Sequence, residues 1–414
     1  MKILNTSILG ASLLAAIATA FGNPAFAYEG IVTKQTFTMP SYTTIGGETI
    51  SDVQVGWESY GTLNAAKDNV VLVPHHFSAT SHVAGRYDIS DGAYGYWDSI
   101  IGSGKAIDTD KYFVISSDTL VNMQPKNPTV VTTGPATINP ATGVPYGMSF
   151  PLVTIRDFVN VQKALLDSLG ITSLHAVAGV SMGAMQAIEW ASAYPKMVKR
   201  VIPVAAHGEG NSYWIALTNL WMLPIKLDPN WNNGDYYSST LPTDGLRDAF
   251  KMILVTAWNW KWADESFGRD WAVADEDPAA AFGNQYEIEA WLDATATALG
   301  TYADANHFLY LAKACQNFVA GHGGSLEAGL AAIESPVLLI YSPDDLLFPA
   351  DHVWRTKTLI EADGNPKKVG MVELSGIQGH ADGVYSISQA ADRIEDFLNS
   401  DDGGRHHGPR RRSR

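Results

Sequence analysis

Residues 174–194 read LHAVAGVSMGAMQAIEWASAY. Leu174 to Ala178 is a short apolar run with the character of a buried strand. Gly179 to Gly183 follows as a turn, and Ala184 to Tyr194 continues as a helix that Pro195 halts. Strand, turn and helix in that order form half of a βαβ unit. Gly179-Val180-Ser181-Met182-Gly183 is a G-x-S-x-G pentapeptide, which arises by chance in many proteins and gains meaning from the strand and helix around it. In that setting the serine sits at a sharp, strained bend with its hydroxyl above the sheet, and side chains at the flanking glycines would strike neighbouring elements. The helix begun at Met182 also directs its positive end toward a developing oxyanion.

The same alternation extends in both directions. Upstream, Ser51–Tyr60, Asn69–Pro74 (NVVLVP) and Lys111–Ser116 (KYFVIS) read as strands, and Asn122–Gly147, rich in Pro, Thr, Asn and Gly, as a long surface loop. Thr154–Leu169 places Ile155, Phe158, Val161, Leu165 and Leu169 on one helical face and closes at Gly170. Downstream, Lys199–Ala206, Pro336–Tyr341 and Lys368–Leu374 are strand-like, and Ser386–Leu398 predicts a closing helix. Between them the pattern turns helical and holds eight of the 12 tryptophans: Trp214, Trp221, Trp231, Trp258, Trp260, Trp262, Trp271 and Trp291. These patterns predict a mostly parallel α/β sheet with helices on both faces. The core spans residues 28–207 and 335–400, and a helical cap spans 208–334. The chain shows no internal repeat of fixed period.

At 414 residues, with 46% hydrophobic and 17% charged composition, the chain can bury a large core. Its formal charge of −15 repels phosphate backbones and anionic lipid, so neither nucleic acid nor a membrane is expected as a partner. Residues 1–27 read as a secretory signal peptide: Lys2 is the positive start, Ile8 to Phe21 is apolar and rich in small residues, and Ala25-Phe26-Ala27 is an A-x-A cleavage site. The apolar run falls short of the ~20 residues a membrane span needs. A mature chain beginning at Tyr28, periplasmic or secreted, is expected. Cys315 is the sole cysteine, so no intramolecular disulfide can form. Residues 401–414 (DDGGRHHGPRRRSR) lack apolar periodicity and are left outside the fold as a disordered basic tail.

A serine hydroxyl is a poor nucleophile near neutral pH and needs a base. The order serine, acid, histidine is the one expected of the α/β-hydrolase fold. His380 lies in SGIQGH directly after the last strand, where a base would reach over Ser181. The acid belongs after the preceding strand, where YSPDDLLFP offers Asp344 and Asp345. Asp344 follows Pro343 directly and is placed to support the turn, which favours Asp345, although spacing leaves both open. His75, His76 and His82 fit no standard zinc spacing and read as lining a loop beside the nucleophile, with no metal expected. His207 and His322 read as structural or cap residues, and Glu189 as a packing or solvent-face residue of the nucleophile helix.

The stretches VGWESYGTLNAAKDNVVLVPHHFSATSHVAG, GYWD, GSGKAIDTDKYFVIS, TGPATINPATGVPYGMSFPLVTIRDFV, GVSMGAMQAIEWASAYP and DDLLFP, with GH at His380, resemble the homoserine O-acetyltransferases and related α/β-hydrolase-fold enzymes. Agreement is dense from Gln54 to Pro195, sparse in the cap, and restored near Asp345 and His380. The resemblance implies Ser181 as nucleophile, Asp345 as acid and His380 as base. It also implies backbone N–H groups of Phe77 and Met182 as the oxyanion hole, and leaves room for a homodimer through the cap.

Two departures bear on substrate. Phe250 aligns where the family carries a carboxylate-binding arginine, with Lys251 on another helix face. Ala381 follows His380 where the family has an amine-binding aspartate, with Asp382 one place later. A zwitterion entering a pocket without paired charges is penalised. Acetyl-CoA is also cytoplasmic, whereas an exported acyl-enzyme always meets water. The expected activity is therefore an exported serine hydrolase on a small-molecule carboxylic ester, with lactones or amides as alternatives, and with no cofactor. O-acyl transfer from an acyl-CoA is the second reading, and a non-catalytic binding protein on the same scaffold is the third.

Overall fold

The computed structural model describes residues 30–362 and 369–400. The expected signal segment 1–27 and the tail 401–414 lie outside the described residues. The strands are β1 (Gln35–Thr43), β2 (Thr49–Tyr60), β3 (Val70–Leu72), β4 (Ile101–Gly102), β5 (Ile107–Asp108), β6 (Phe113–Ser117), β7 (Ala176–Val180), β8 (Val201–Val204), β9 (Val337–Tyr341) and β10 (Val369–Glu373). Eight of them form one sheet in the order β1-β2-β6-β3-β7-β8-β9-β10, while β4 and β5 pair separately. Only β1–β2 and β2–β6 pair antiparallel in that sheet, and the other pairs run parallel.

Strands buried on both faces explain the uninterrupted apolar runs. Val70 and Leu72 of β3 join the core on one face of the sheet, and Val71 and Val73 the core on the other. The first face is covered by α1 (Ile155–Ser168) and α2 (Met182–Ala193), which contribute Phe158, Leu165, Met185 and Trp190. Thr154 caps α1 through a capping box with Asp157, whose carboxylate also accepts from Tyr42 Oη at 2.7 Å and so ties the β1–β2 hairpin to the helix.

All-helical structure intervenes between β8 and β9: α3 (Ser212–Leu227), α4 (Thr243–Ala257), α5 (Trp260–Phe267), α6 (Glu287–Gly300), α7 (Ala305–Gln316) and α8 (Leu326–Ala331). After β9 come α9 (Ala350–Glu361) and, beyond β10, α10 (Asp382–Tyr385) and α11 (Ala391–Asn399). Ile394 and Phe397 of α11 cover the second face of the sheet beside Trp97 and Ile101.

Several boundaries differ from the sequence pattern. Gly179 and Val180 belong to β7, because they pair with Pro203 and Val204 of β8, and the helix starts at Met182. The turn thus narrows to Ser181 alone. Pro203 is tolerated inside the sheet because the donor it lacks faces β9, whose ladder with β8 is registered only at Val201 and Val204. The expected closing helix splits into a 3-10 turn (Ile387–Ala390) and α11. Residues 122–147 are irregular as expected but do not lie wholly at the surface. Asn122 and Thr133 are buried, and Gly56 N–H donates to Val131 O at 2.7 Å, so this segment is stitched to β2. Residues 140–144 are the part fully turned to solvent.

Candidate active site

Ser181 has φ 57° and ψ −122°, a left-handed backbone that a residue with a Cβ adopts only under constraint. The constraint comes from both sides. Its N–H donates to Val204 O at 2.9 Å on β8, and its carbonyl accepts from Ala184 and Met185 to start α2. A Cβ on Gly179 would lie 2.4 Å from Gly183 O, and one on Gly183 would lie 2.2 Å from Pro74 O. The two glycines are therefore required by contact, the second because the loop after β3 passes directly over the helix start.

The loops that carry Asp345 and His380 leave the carboxyl ends of β9 and β10, in the same sheet and on the same edge as the serine. Asp345 Oδ1 accepts from Leu347 N at 2.8 Å and Phe348 N at 3.0 Å, which holds the carboxylate rigid. Its Oδ2 pairs with His380 Nδ1 at 2.8 Å, and both side chains are buried. The bond engages Nδ1, and Nε2 has no hydrogen-bond partner among the described residues. Asp344 instead faces outward to Lys261 Nζ at 2.6 Å. The His380 loop closes onto β7. A Cβ on Gly383, three residues past His380, would meet Val180 Cγ2 at 2.7 Å. Among the described residues no hydrogen bond reaches the Ser181 hydroxyl; nucleophile–base contacts commonly tighten only when substrate binds.

Among the described residues the backbone N–H groups of Phe77 and Met182 donate to no acceptor, which leaves both available. The Phe77 loop is anchored by buried polar groups. Trp190 Nε1 donates to Gln162 Oε1 (2.7 Å), Gln162 Nε2 to Gln186 Oε1 (2.8 Å), and Gln186 Nε2 to His75 O (3.2 Å). His75 Nδ1 donates to His76 O at 2.7 Å while Nε2 accepts from Thr119 N and Asn122 Nδ2, a pattern that needs the neutral ring. Burial lowers its pKa to match. His307 on α7 repeats the scheme, donating to Asn122 O at 2.7 Å and accepting from Ala136 N, so Asn122 joins loop to insertion.

The loop histidines take separate partners. His76 stands edge-on to Tyr96 at 4.9 Å, and its pKa is lowered to about 3 by desolvation, with His75 and His380 adding to the effect. His82 Nδ1 meets Glu58 at 2.9 Å. Glu58 is fully buried, also bonded by Lys34 (2.7 Å), Tyr60 (2.8 Å) and Tyr87 (2.6 Å). Burial would raise its pKa, but the His82 hydrogen bond and the Lys34 charge outweigh that and hold it at about 2.

His207 is buried among Phe348 and His352, with Nε2 unpartnered among the described residues and its pKa lowered to about 4 by desolvation and then by His352. His322 stands at φ 39° in the turn before α8. Glu189 is no solvent-face residue. It is buried, ion-paired to Arg156, and accepts from Gly321 N at 2.8 Å, because the insertion folds back over α2.

At the two departures, Phe250 is buried against Phe308 at 5.8 Å, and Lys251 pairs with Asp293 and Asp248. Asp382 is buried and accepts from Ser386 Oγ (2.6 Å), Gln378 N (3.2 Å) and Ser342 Oγ (3.3 Å) within its own neighbourhood. None of these inner contacts, nor the Gln162–Gln186 chain, carries a sequence signal of its own. Glutamines and asparagines have no motif, and only the packing shows which of them are buried.

A strained serine between strand and helix, with a buried His–Asp pair on the neighbouring strand ends, is the arrangement of the α/β-hydrolase class. Residues 92–370 match the family model of the alpha/beta hydrolase fold. The chain is 39% identical over 372 residues to the homoserine O-acetyltransferase of Methanosphaerula palustris, covering 89% of this chain and 74% of that one. Among solved structures, esterase E22 is 48% identical with a TM-score of 0.85 over 89% of this chain and 100% of its own. The homoserine O-acetyltransferase from Bacillus anthracis is 38% identical with a TM-score of 0.84, over 90% and 98%. The chain belongs to the homoserine O-acetyltransferase-like family of α/β-hydrolase-fold enzymes.

Proposed function

We propose that the protein is an exported serine hydrolase that cleaves a carboxylic ester, or alternatively a lactone or an amide, through an acyl-enzyme on Ser181. The hydroxyl attacks the carbonyl while His380 Nε2 takes its proton. Asp345 stabilises the imidazolium through Nδ1, and the Phe77 and Met182 amides receive the oxyanion. His380 then returns the proton to the leaving alcohol or amine, and water, deprotonated by the same nitrogen, releases the acid.

The observation that carries hydrolysis over transfer is the commitment of Asp382 to its own loop, together with Phe250 packed in the core. A zwitterionic acceptor would find neither a carboxylate for its amine nor a guanidinium for its carboxylate at those positions. Acyl transfer to homoserine is the second reading, favoured by the 36–39% identity to homoserine O-acetyltransferases. Offering the purified protein p-nitrophenyl acetate, and separately acetyl-CoA with homoserine, decides between them. Ester turnover with no homoserine-dependent CoA release is expected, and the opposite pattern would reject hydrolysis. Fluorophosphonate labelling that Ser181→Ala abolishes is expected of either enzyme, and its absence would leave a binding protein. Export rests on residues 1–27. Mass spectrometry of protein recovered outside the cytoplasm is expected to find Tyr28 at the amino terminus, and an intact Met1 would count against it.

A further inference from the structure

We infer that Asn259, in the junction between α4 and α5 of the helical insertion, is a positioning residue that holds the acid and base loops in register; the inference rests on the reading of Ser181, Asp345 and His380 just given. Asn259 is buried, with 3% of its surface exposed. Its Nδ2 donates to Asp344 O at 3.1 Å, immediately before Asp345. Its backbone N–H donates to Gln378 O at 3.3 Å, two residues before His380. One residue of the insertion thus spans the two loops whose side chains form the 2.8 Å Asp345–His380 bond.

The three segments meet at Gly379. That residue has φ +69°, and a Cβ on it would lie 3.1 Å from Asp344 O and 3.2 Å from Asn259 Cβ. Asn259 Oδ1 does separate work as the N-cap of α5, accepting from Lys261 N at 2.9 Å. Lys261 adds an ion pair from α5 to the Asp344 carboxylate at 2.6 Å, half open to solvent. Surface pairs of that kind contribute little, whereas a buried amide bonded on both sides fixes geometry. A shift of the insertion therefore reaches the Asp–His bond through Asn259, and serine activation depends on that bond being aligned.

Asn259→Ser separates the two duties of the side chain. Serine keeps an N-cap acceptor for α5 and the backbone N–H to Gln378, but its hydroxyl is too short to reach Asp344 O. With p-nitrophenyl acetate we expect kcat to fall about ten-fold or more while KM stays within about two-fold, because alignment serves the transition state and not ground-state binding. The rate of fluorophosphonate labelling at Ser181 should fall in proportion, with the thermal unfolding midpoint little changed. Lys261→Met should remain within about two-fold of wild type in every measure. An Asn259→Ser enzyme with wild-type kcat and labelling rate, or one whose loss follows its lost folded fraction alone, overturns the positioning role. A wild-type protein that neither turns over ester nor labels at Ser181 overturns the underlying reading and this role with it. Labelling of wild type beside an unaffected variant overturns the positioning role alone.

Discussion

Ser181 is held at φ 57° by hydrogen bonds on both sides, and adjacent Asp344 and Asp345 are sorted by what surrounds them. Asp345 is fixed by two backbone amides and His380, while Asp344 pairs with the half-exposed Lys261. Asp345→Asn would present an amide to Nδ1 and favour the wrong imidazole tautomer. We expect kcat to fall by roughly 10⁴-fold with the fold intact. Asp344→Asn removes only the half-exposed ion pair, keeps the carbonyl that Asn259 uses, and should change kcat by less than about three-fold. Steady-state kinetics on one ester compares the two directly, and equal losses would mean that the acid has been misassigned.

The strand-turn-helix unit works as an element only because the β3 loop crosses it at contact distance. In Gly183→Ala the new methyl would sit 2.2 Å from Pro74 O, against backbone that cannot rotate aside. The loop must lift, carrying the Phe77 amide away from Met182. We expect a loss of roughly 1–3 kcal/mol in denaturant unfolding, with kcat falling further than KM rises. Wild-type stability would show that the loop yields freely. The chain from Trp190 through Gln162 and Gln186 to His75 gives this contact its stiffness. Gln186→Leu leaves the Gln162 amide and His75 O unsatisfied, and should destabilise by about 1–3 kcal/mol in the same assay.

Over the whole molecule, Glu58 binds separate parts of the fold: Lys34 before β1, Tyr60 on β2, and His82 and Tyr87 in the segment that follows the Phe77 loop. Its folded-state pKa of about 2 lies below the 4.5 of an unperturbed carboxyl, so the native state favours the ionised form. The sign follows. That stabilisation, on the order of 3 kcal/mol, is complete above pH 4.5 and is lost as pH falls toward 2. Glu58→Gln should flatten the acid limb of a stability–pH curve over that window, and should lower stability near neutrality by leaving Lys34 half-buried without its nearest charge. An unaltered acid limb would assign acid sensitivity elsewhere.

Sequence by itself determined the alternation of strands and helices, the GVSMG bend, the positions of Asp345 and His380 after successive strands and the long helical insertion. These are local properties: period, turn chemistry and a motif that each act within a few residues. It also favoured Asp345 over its neighbour, and the family resemblance set Phe250 and Ala381 where relatives carry an acceptor-binding arginine and aspartate. Only the tertiary structure decided that β7 extends to Val180, that Glu189 lies inside an ion pair, that residues 122–147 are partly interior, and that Asn259 spans two loops 85 and 119 positions downstream (Asp344 and Gln378). Their partners lie far off in the chain, and a buried amide or carboxylate is recognisable only once packing has removed water from it and left a single neighbour in reach.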